Sequence, residues 1–84
     1  VSVHPVEAQR VQTTLAELVA KKARVDRARV TPAARLIDFG LDSVRALELV
    51  VDLEQAFGLE IPDQDLAGAQ TVGDIARYLE RRLS

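Results

Sequence analysis

The chain reads as a small all-α domain. Apolar residues recur at helical spacing in three segments, and no segment alternates with the two-residue period of a half-buried strand. The core-forming residues are almost wholly Leu, Val, Ile and Ala, with Phe39, Phe57 and Tyr78 as the aromatics. Such side chains suit packed helices. Eighty-four residues can bury one modest core and leave little interior for a deep substrate pocket, so residues 1–84 are read as one domain.

The first helix is expected over about 5–23. Pro5 suits a first helical turn, and Val11, Leu15, Leu18 and Val19 recur at helical spacing. Lys21, Lys22 and Arg24 stand where a helix C-terminus favours cations. Residues 24–42 form a connection longer than compact domains usually tolerate without structure or function. Val25, Val30, Leu36, Ile37, Phe39 and Leu41 are expected to pin it to the core. "TPAARL" is expected to make one helical turn, capped by Thr31 with Pro32 at its first position. Gly40 allows a sharp turn before the next helix.

That second helix is expected over about 43–57, with Asp42 as its N-cap and Gly58 just past its end. At 100° per residue, Ala46, Leu49, Val50, Leu53 and Phe57 share a broad arc with Leu47 at its edge. Arg45, Glu48, Asp52 and Gln55 gather opposite, while Val44 and Val51 fall on the shoulder. Glu54 breaks the pattern by standing close to the apolar arc. In "GLEIPDQDLAGAQ", Ile61 is the expected anchor and Pro62 opens a short helix over about 63–67. The last helix is expected over about 71–83, where Thr71 and Asp74 stand at capping-box spacing. Asp is shorter than the usual Glu at that place. Val72, Ile75, Ala76, Leu79 and Leu83 supply the apolar stripe, while Glu80, Arg81 and Arg82 face solvent.

Composition removes several function classes. The chain has no cysteine, hence neither a disulfide framework nor a thiolate metal site. No apolar run approaches the length of a bilayer span, and "VSVHPVEAQR" lacks the pattern of a secretory signal, so a cytoplasmic protein is expected. The net charge of −2 hides an asymmetry: seven basic against three acidic residues up to Arg35, then ten acidic against four basic. Between Asp38 and Asp65 eight carboxylates face only Arg45. Such a block repels nucleic acid and attracts a basic surface on another protein. The single histidine, His4, stands in the terminal tail, so a Ser-His-Asp arrangement has no base. No phosphate-binding glycine loop is present, and the carboxylates are spread along a helix rather than clustered for a metal. An enzyme is not expected.

Ser43, in "FGLDSVRALELV", is what remains. By itself the pair reads as a cap followed by an ordinary first-turn residue. A hydroxyl there would nevertheless be exposed, and a phosphate on it would meet the N–H groups and positive end of a helix. Asp42 would repel that phosphate, a repulsion that a docked basic partner could offset.

The stretch "DFGLDSVRALELVVDLEQAFGLEIPD", Asp38 to Asp63, closely resembles acyl carrier proteins, and the helix layout is similar over almost the whole chain. Its specific part is "GLDS" followed by a helix ending "LEQAFGLEIP". The resemblance implies a small four-helix bundle of acyl-carrier type, with three main helices, one short helix and a long loop between the first two. It implies that Ser43 receives 4′-phosphopantetheine from coenzyme A through a phosphodiester. A phosphopantetheinyl transferase with a divalent metal would install it, and the cofactor would supply the thiol that the chain lacks. The protein would hold an acyl group as a thioester and present it to an acyl-loading enzyme and to condensing and tailoring enzymes with basic docking surfaces. The partner-reading residues carried over are Asp42, Val44, Leu47, Glu48, Val51, Asp52 and Glu54. Arg45 interrupts the acidic helix, either weakening the attraction or selecting a partner. Neither nucleic acid nor membrane is an expected partner, and a monomer is expected.

Asp before the serine looks more like fatty-acid or polyketide carriers than peptidyl ones, and "GLDSVR" is also similar to aryl carriers of nonribosomal peptide synthesis. Acyl, aryl and aminoacyl cargo are expected in that order. The rival from another class is an unmodified helical adaptor docking through the same acidic face, and a small hydrolase is more remote.

Overall fold

A computed structural model of the chain describes residues 5–83, with side chains from Ala8 onward. His4 lies outside the described residues. Helix α1 runs Pro5–Ala23, α2 runs Ser43–Phe57 and α3 runs Val72–Leu83. α1 packs against both of the others. Each helix sends one leucine fully inside: Leu15 from α1, Leu53 from α2 and Leu79 from α3, joined in one cluster by Val11, Val19, Leu49, Phe57 and Ile75. Burying such a side chain contributes about 1.5–3 kcal/mol, so the helical stripes read from the sequence are the main source of stability. Among the described residues no helix is long and apolar enough to cross a membrane.

α1 is stopped just past Ala23 by Arg24, whose φ of 58° is left-handed, and Val25 N–H donates back to the Ala20 carbonyl at 3.1 Å. Glycine is the residue that usually takes this place, so Arg24 holds a mildly strained backbone. The long connection that follows is tied down throughout. Asp26 Oδ1 accepts from Ala28 N–H at 2.9 Å and caps a 3-10 turn at Arg27–Arg29. Val30 is buried.

"TPAARL" makes one turn, closed by Ala34 N–H donating to the Thr31 carbonyl at 3.0 Å, and then joins the start of α3. Gly73 N–H donates to the Pro32 carbonyl at 2.8 Å, Val72 N–H to Ala34 at 3.0 Å, and Leu36 N–H to Gln70 at 2.9 Å. An isolated antiparallel bridge pairs Arg35 with Thr71. The one turn expected here is formed, and the Pro32 and Ala34 carbonyls serve otherwise unpaired N–H groups of α3's first turn.

A 3-10 turn at Leu36–Phe39 delivers the chain to α2. Side chains three apart eclipse in such a turn, so Leu36 and Phe39 both face the core while Ile37 points away. Ile37 is 70% exposed, which corrects its expected role as a core pin.

After α2, Gly58 adopts a φ of 65° and Leu59 N–H closes on the Glu54 carbonyl at 3.2 Å. Ile61 is buried, as an anchor should be. The short fourth helix is a single 3-10 turn at Asp63–Asp65, loosely continued by Ala67 N–H to the Gln64 carbonyl at 3.4 Å. It is shorter than the 63–67 expected. Tyr78 of α3 holds it, its hydroxyl donating to Asp65 Oδ2 at 2.6 Å while Arg82 donates to the Tyr78 oxygen. Burial first, then the bond to Asp65, push the Tyr78 phenol above its ordinary pKa.

The capping box at α3 is complete despite the shorter acid. Asp74 N–H donates to Thr71 Oγ1 at 3.1 Å, and Asp74 Oδ2 accepts from Thr71 N–H at 3.1 Å and Gln70 N–H at 2.9 Å. Those backbone donors, Gln70 foremost, hold the Asp74 carboxyl below the usual carboxylate range. Arg77 pairs with the same side chain.

Candidate functional site

The site is built around the entry to α2. Gly40, at φ 70°, turns the chain out of the 3-10 segment, and half-buried Leu41 holds the approach against the core. Asp42 is extended, and its Oδ1 accepts from Arg45 N–H at 2.9 Å while its carbonyl accepts from Ala46 N–H at 2.8 Å. Asp42 is thus the N-cap, and Ser43 is the first residue of the helix. Ser43 is exposed. The first N–H groups of any α-helix have no carbonyl partner within it, and the helix dipole adds positive potential there. A phosphodiester on the Ser43 oxygen would be reachable from solvent and electrostatically supported from below, with the Asp42 carboxylate opposing it. Phosphopantetheine fits the residues present: a hydroxyl acceptor that stands clear of the core, on a rigid element.

From Ser43 a ridge of exposed apolar side chains runs down α2. Val44 is 66% exposed, Leu47 52% and Val51 48%. The spacing i, i+3, i+7 places them along one line of the helix surface. Ala46 and Val50 are half-buried and Leu49, Leu53 and Phe57 are buried, so the helix has two apolar faces: one inside the domain and one facing solvent. An exposed apolar stripe on a domain this small is a candidate contact surface.

Glu48 and Asp52 flank that ridge on the side toward α1, and Lys22 of α1 reaches both. Its Nζ lies 3.2 Å from Asp52 Oδ2 and 4.0 Å from Glu48 Oε1. Arg45 is engaged there too, its Nη1 donating to the Lys22 carbonyl at 3.4 Å. These residues line an open cleft between α1 and α2 of about 690 Å³, together with Leu18, Arg24 and Gln55.

Glu54 has a different setting. It is half-buried, and its Oε2 accepts from Ile61 N–H at 2.7 Å, tying the end of α2 to the following loop. Its place near the apolar arc is thereby explained by a backbone donor that needs an acceptor.

The structure brings Asp42, at the N-cap, and Ser43, Val44, Leu47, Glu48 and Val51, on α2, to an exposed side, with half-buried Asp52 at its edge toward α1 and half-buried Glu54 at its margin. Two residues take positions that sequence reasoning did not foresee, of which Lys22 adjoins the site. Ile37 precedes the helix as an exposed apolar side chain, which the 3-10 eclipsing pattern could have flagged. Lys22 is distant in sequence and carried no such signal. Among the described residues no group of three or more His, Cys, Asp or Glu is placed to hold a metal ion.

A family model described as "Phosphopantetheine attachment site" matches residues 13–79. An acyl carrier protein of Thermotoga maritima is 43% identical over 67 residues, covering 79% of this chain and 83% of that protein. A meromycolate extension acyl carrier protein of Mycobacterium tuberculosis is 32% identical over 78 residues, covering 92% of this chain and 68% of that protein. Among solved structures, a free-standing peptidyl carrier protein from a secondary metabolic pathway of Acinetobacter baumannii superposes with a TM-score of 0.79 at 31% identity, covering 92% of this chain and 96% of that one.

Proposed function

The chain belongs to the phosphopantetheine-attachment family of carrier proteins, and from that premise we propose that Ser43 bears the prosthetic arm and that α2 presents it to partner enzymes. Members of the family are tethers for substrates rather than catalysts, and they work with a phosphopantetheinyl transferase and with biosynthetic enzymes. The prosthetic group supplies a thiol at the end of a long flexible arm, on which acyl cargo is held as a thioester.

The observation that carries the reading is an exposed serine at the first position of a helix whose own cap is already supplied by Asp42. Ser43 is not needed for capping, so its hydroxyl is available for modification. In the attachment step the Ser43 oxygen forms a bond to the phosphorus of coenzyme A's pantetheine phosphate. The diphosphate linkage breaks, adenosine 3′,5′-bisphosphate leaves, and the hydroxyl proton passes to a base of the transferase. Holding the arm on a rigid helix keeps its tip within reach of a docked active site, which raises the effective concentration of cargo without catalysis by the carrier.

For cargo, we favour an acyl group in polyketide, fatty-acid or hybrid nonribosomal peptide synthesis, with Asp42 before the serine as the supporting feature. A second reading, an aminoacyl or aryl cargo, is favoured by the 31% identity to a peptidyl carrier.

The test is intact-protein mass after incubation with coenzyme A and a broad-specificity transferase. One phosphopantetheine mass is expected on the wild type and none on Ser43→Ala. A wild type left unmodified, beside a control carrier modified in the same reaction, overturns the proposal. Full biological activity of Ser43→Ala would favour the unmodified adaptor instead. Loading assays with acyl, aryl and aminoacyl donors then separate the cargo classes.

A further inference from the structure

We propose that Lys22 is an intramolecular competitor for the docking face, occupying the Glu48 and Asp52 carboxylates until a partner's own lysine or arginine displaces it. This rests on the reading of α2 as the presenting helix. The residues that read as partner-facing in α2 are not open to solvent on equal terms. Glu48 and Asp52 stand one helical turn apart, so one cation can serve both, and Lys22 Nζ does so from the last turn of α1 at 4.0 and 3.2 Å. Its side chain is only 23% exposed, against 57% for Glu48 and 36% for Asp52. The cation is therefore laid into the α1–α2 cleft rather than waving above it. Arg45 lines the same cleft, its Nη1 donating to the Lys22 carbonyl at 3.4 Å. A cation near a helix C-terminus is favourable by itself, so Lys22 has a resting place even without the carboxylates.

Three consequences follow for a basic partner. It meets a face whose apolar ridge, Val44, Leu47 and Val51, is exposed while its carboxylates are partly neutralised. Glu48, the more exposed and more loosely paired of the two, is the first to be captured, and Asp52 is released only by exchange. Each docking event then trades one ion pair for another, which keeps the net electrostatic gain small and the complex short-lived. A carrier that must leave each enzyme benefits from that.

The experiment compares wild type with Lys22→Gln and Lys22→Met, the latter keeping an apolar stem in the cleft. The first readout is the steady-state rate of Ser43 modification by a transferase at low and at physiological salt. KM is expected to fall about two- to fivefold in both variants, the range of an exposed or half-exposed ion pair, with kcat unchanged and a steeper salt dependence. The second readout is an NMR titration of the apo protein with a lysine-rich amphipathic peptide. Tighter binding is expected in the variants, with the Asp52 amide joining the shifted set. An unchanged or raised KM with unchanged peptide affinity overturns the proposal. So does loss of the native helical circular dichroism in both variants, which would make Lys22 a structural brace. Should the wild type resist modification altogether, the carrier reading fails while the peptide titration still decides the role of Lys22.

Discussion

Gly73→Ala is the sharpest test of how the long connection is held. A Cβ built on Gly73 would lie 2.9 Å from the Pro32 carbonyl oxygen, and that same oxygen accepts the Gly73 N–H at 2.8 Å. The obstacle is backbone rather than the end of a flexible side chain, so the strap at residues 32–36 must move as a unit. Overpacking of this kind costs about 1–3 kcal/mol. Alanine's better helix propensity offsets at most about 1 kcal/mol, and less in a first turn. The net loss is expected at about 1–2 kcal/mol, which for a domain of this size lowers Tm by roughly 5–15 °C. Differential scanning calorimetry with urea unfolding measures it. A variant as stable as the wild type would refute the idea that close backbone approach, and not helix propensity, requires glycine there. The Ser43 end should be less affected, because Asp42 caps α2 independently.

Glu54→Ala should cost about 1–2 kcal/mol in urea unfolding, since it leaves the half-buried Ile61 N–H without its charged acceptor, and Glu54→Gln should recover part of that loss. Asp74→Asn tests the capping box through pH. The Asp74 carboxyl is held below its ordinary value, so the stability it adds is fully present above about pH 4 and is lost as pH falls through the lowered folded value. The Tm gap between wild type and Asp74→Asn should therefore be widest near neutrality and should narrow on acidification below pH 4. A gap independent of pH would count against the box.

Much of the fold was legible because helices announce themselves locally. The stripes Val11, Leu15, Val19 and Val72, Ile75, Ala76, Leu79 are periodic in the chain and buried in the fold. Caps are equally local: Asp42, Gly58 and the Thr71–Asp74 pair act on residues three or four positions away. Where the sequence reading erred, the cause was a partner from elsewhere or a tighter turn. Ile37 looked like one more apolar residue of the loop, and only the three-residue repeat of a 3-10 turn sets it outside. In the Asp65–Tyr78–Arg82 clasp, Tyr78 and Arg82 are one helical turn apart, but the link to Asp65, thirteen residues away, is one that no periodicity reveals.

The same division holds at the functional site. The chain alone determined that a serine opens an amphipathic helix behind an aspartate cap, because capping and helical period depend only on neighbouring residues. It also determined the presence of an acidic stretch after residue 37. Tertiary packing decided how much of that charge a partner meets. The basic first helix and the acidic second are separate blocks in the sequence, yet packing α1 against α2 lays Lys22 across Glu48 and Asp52. Charge acts through space rather than along the chain, so an electrostatic surface is settled only when the helices are docked.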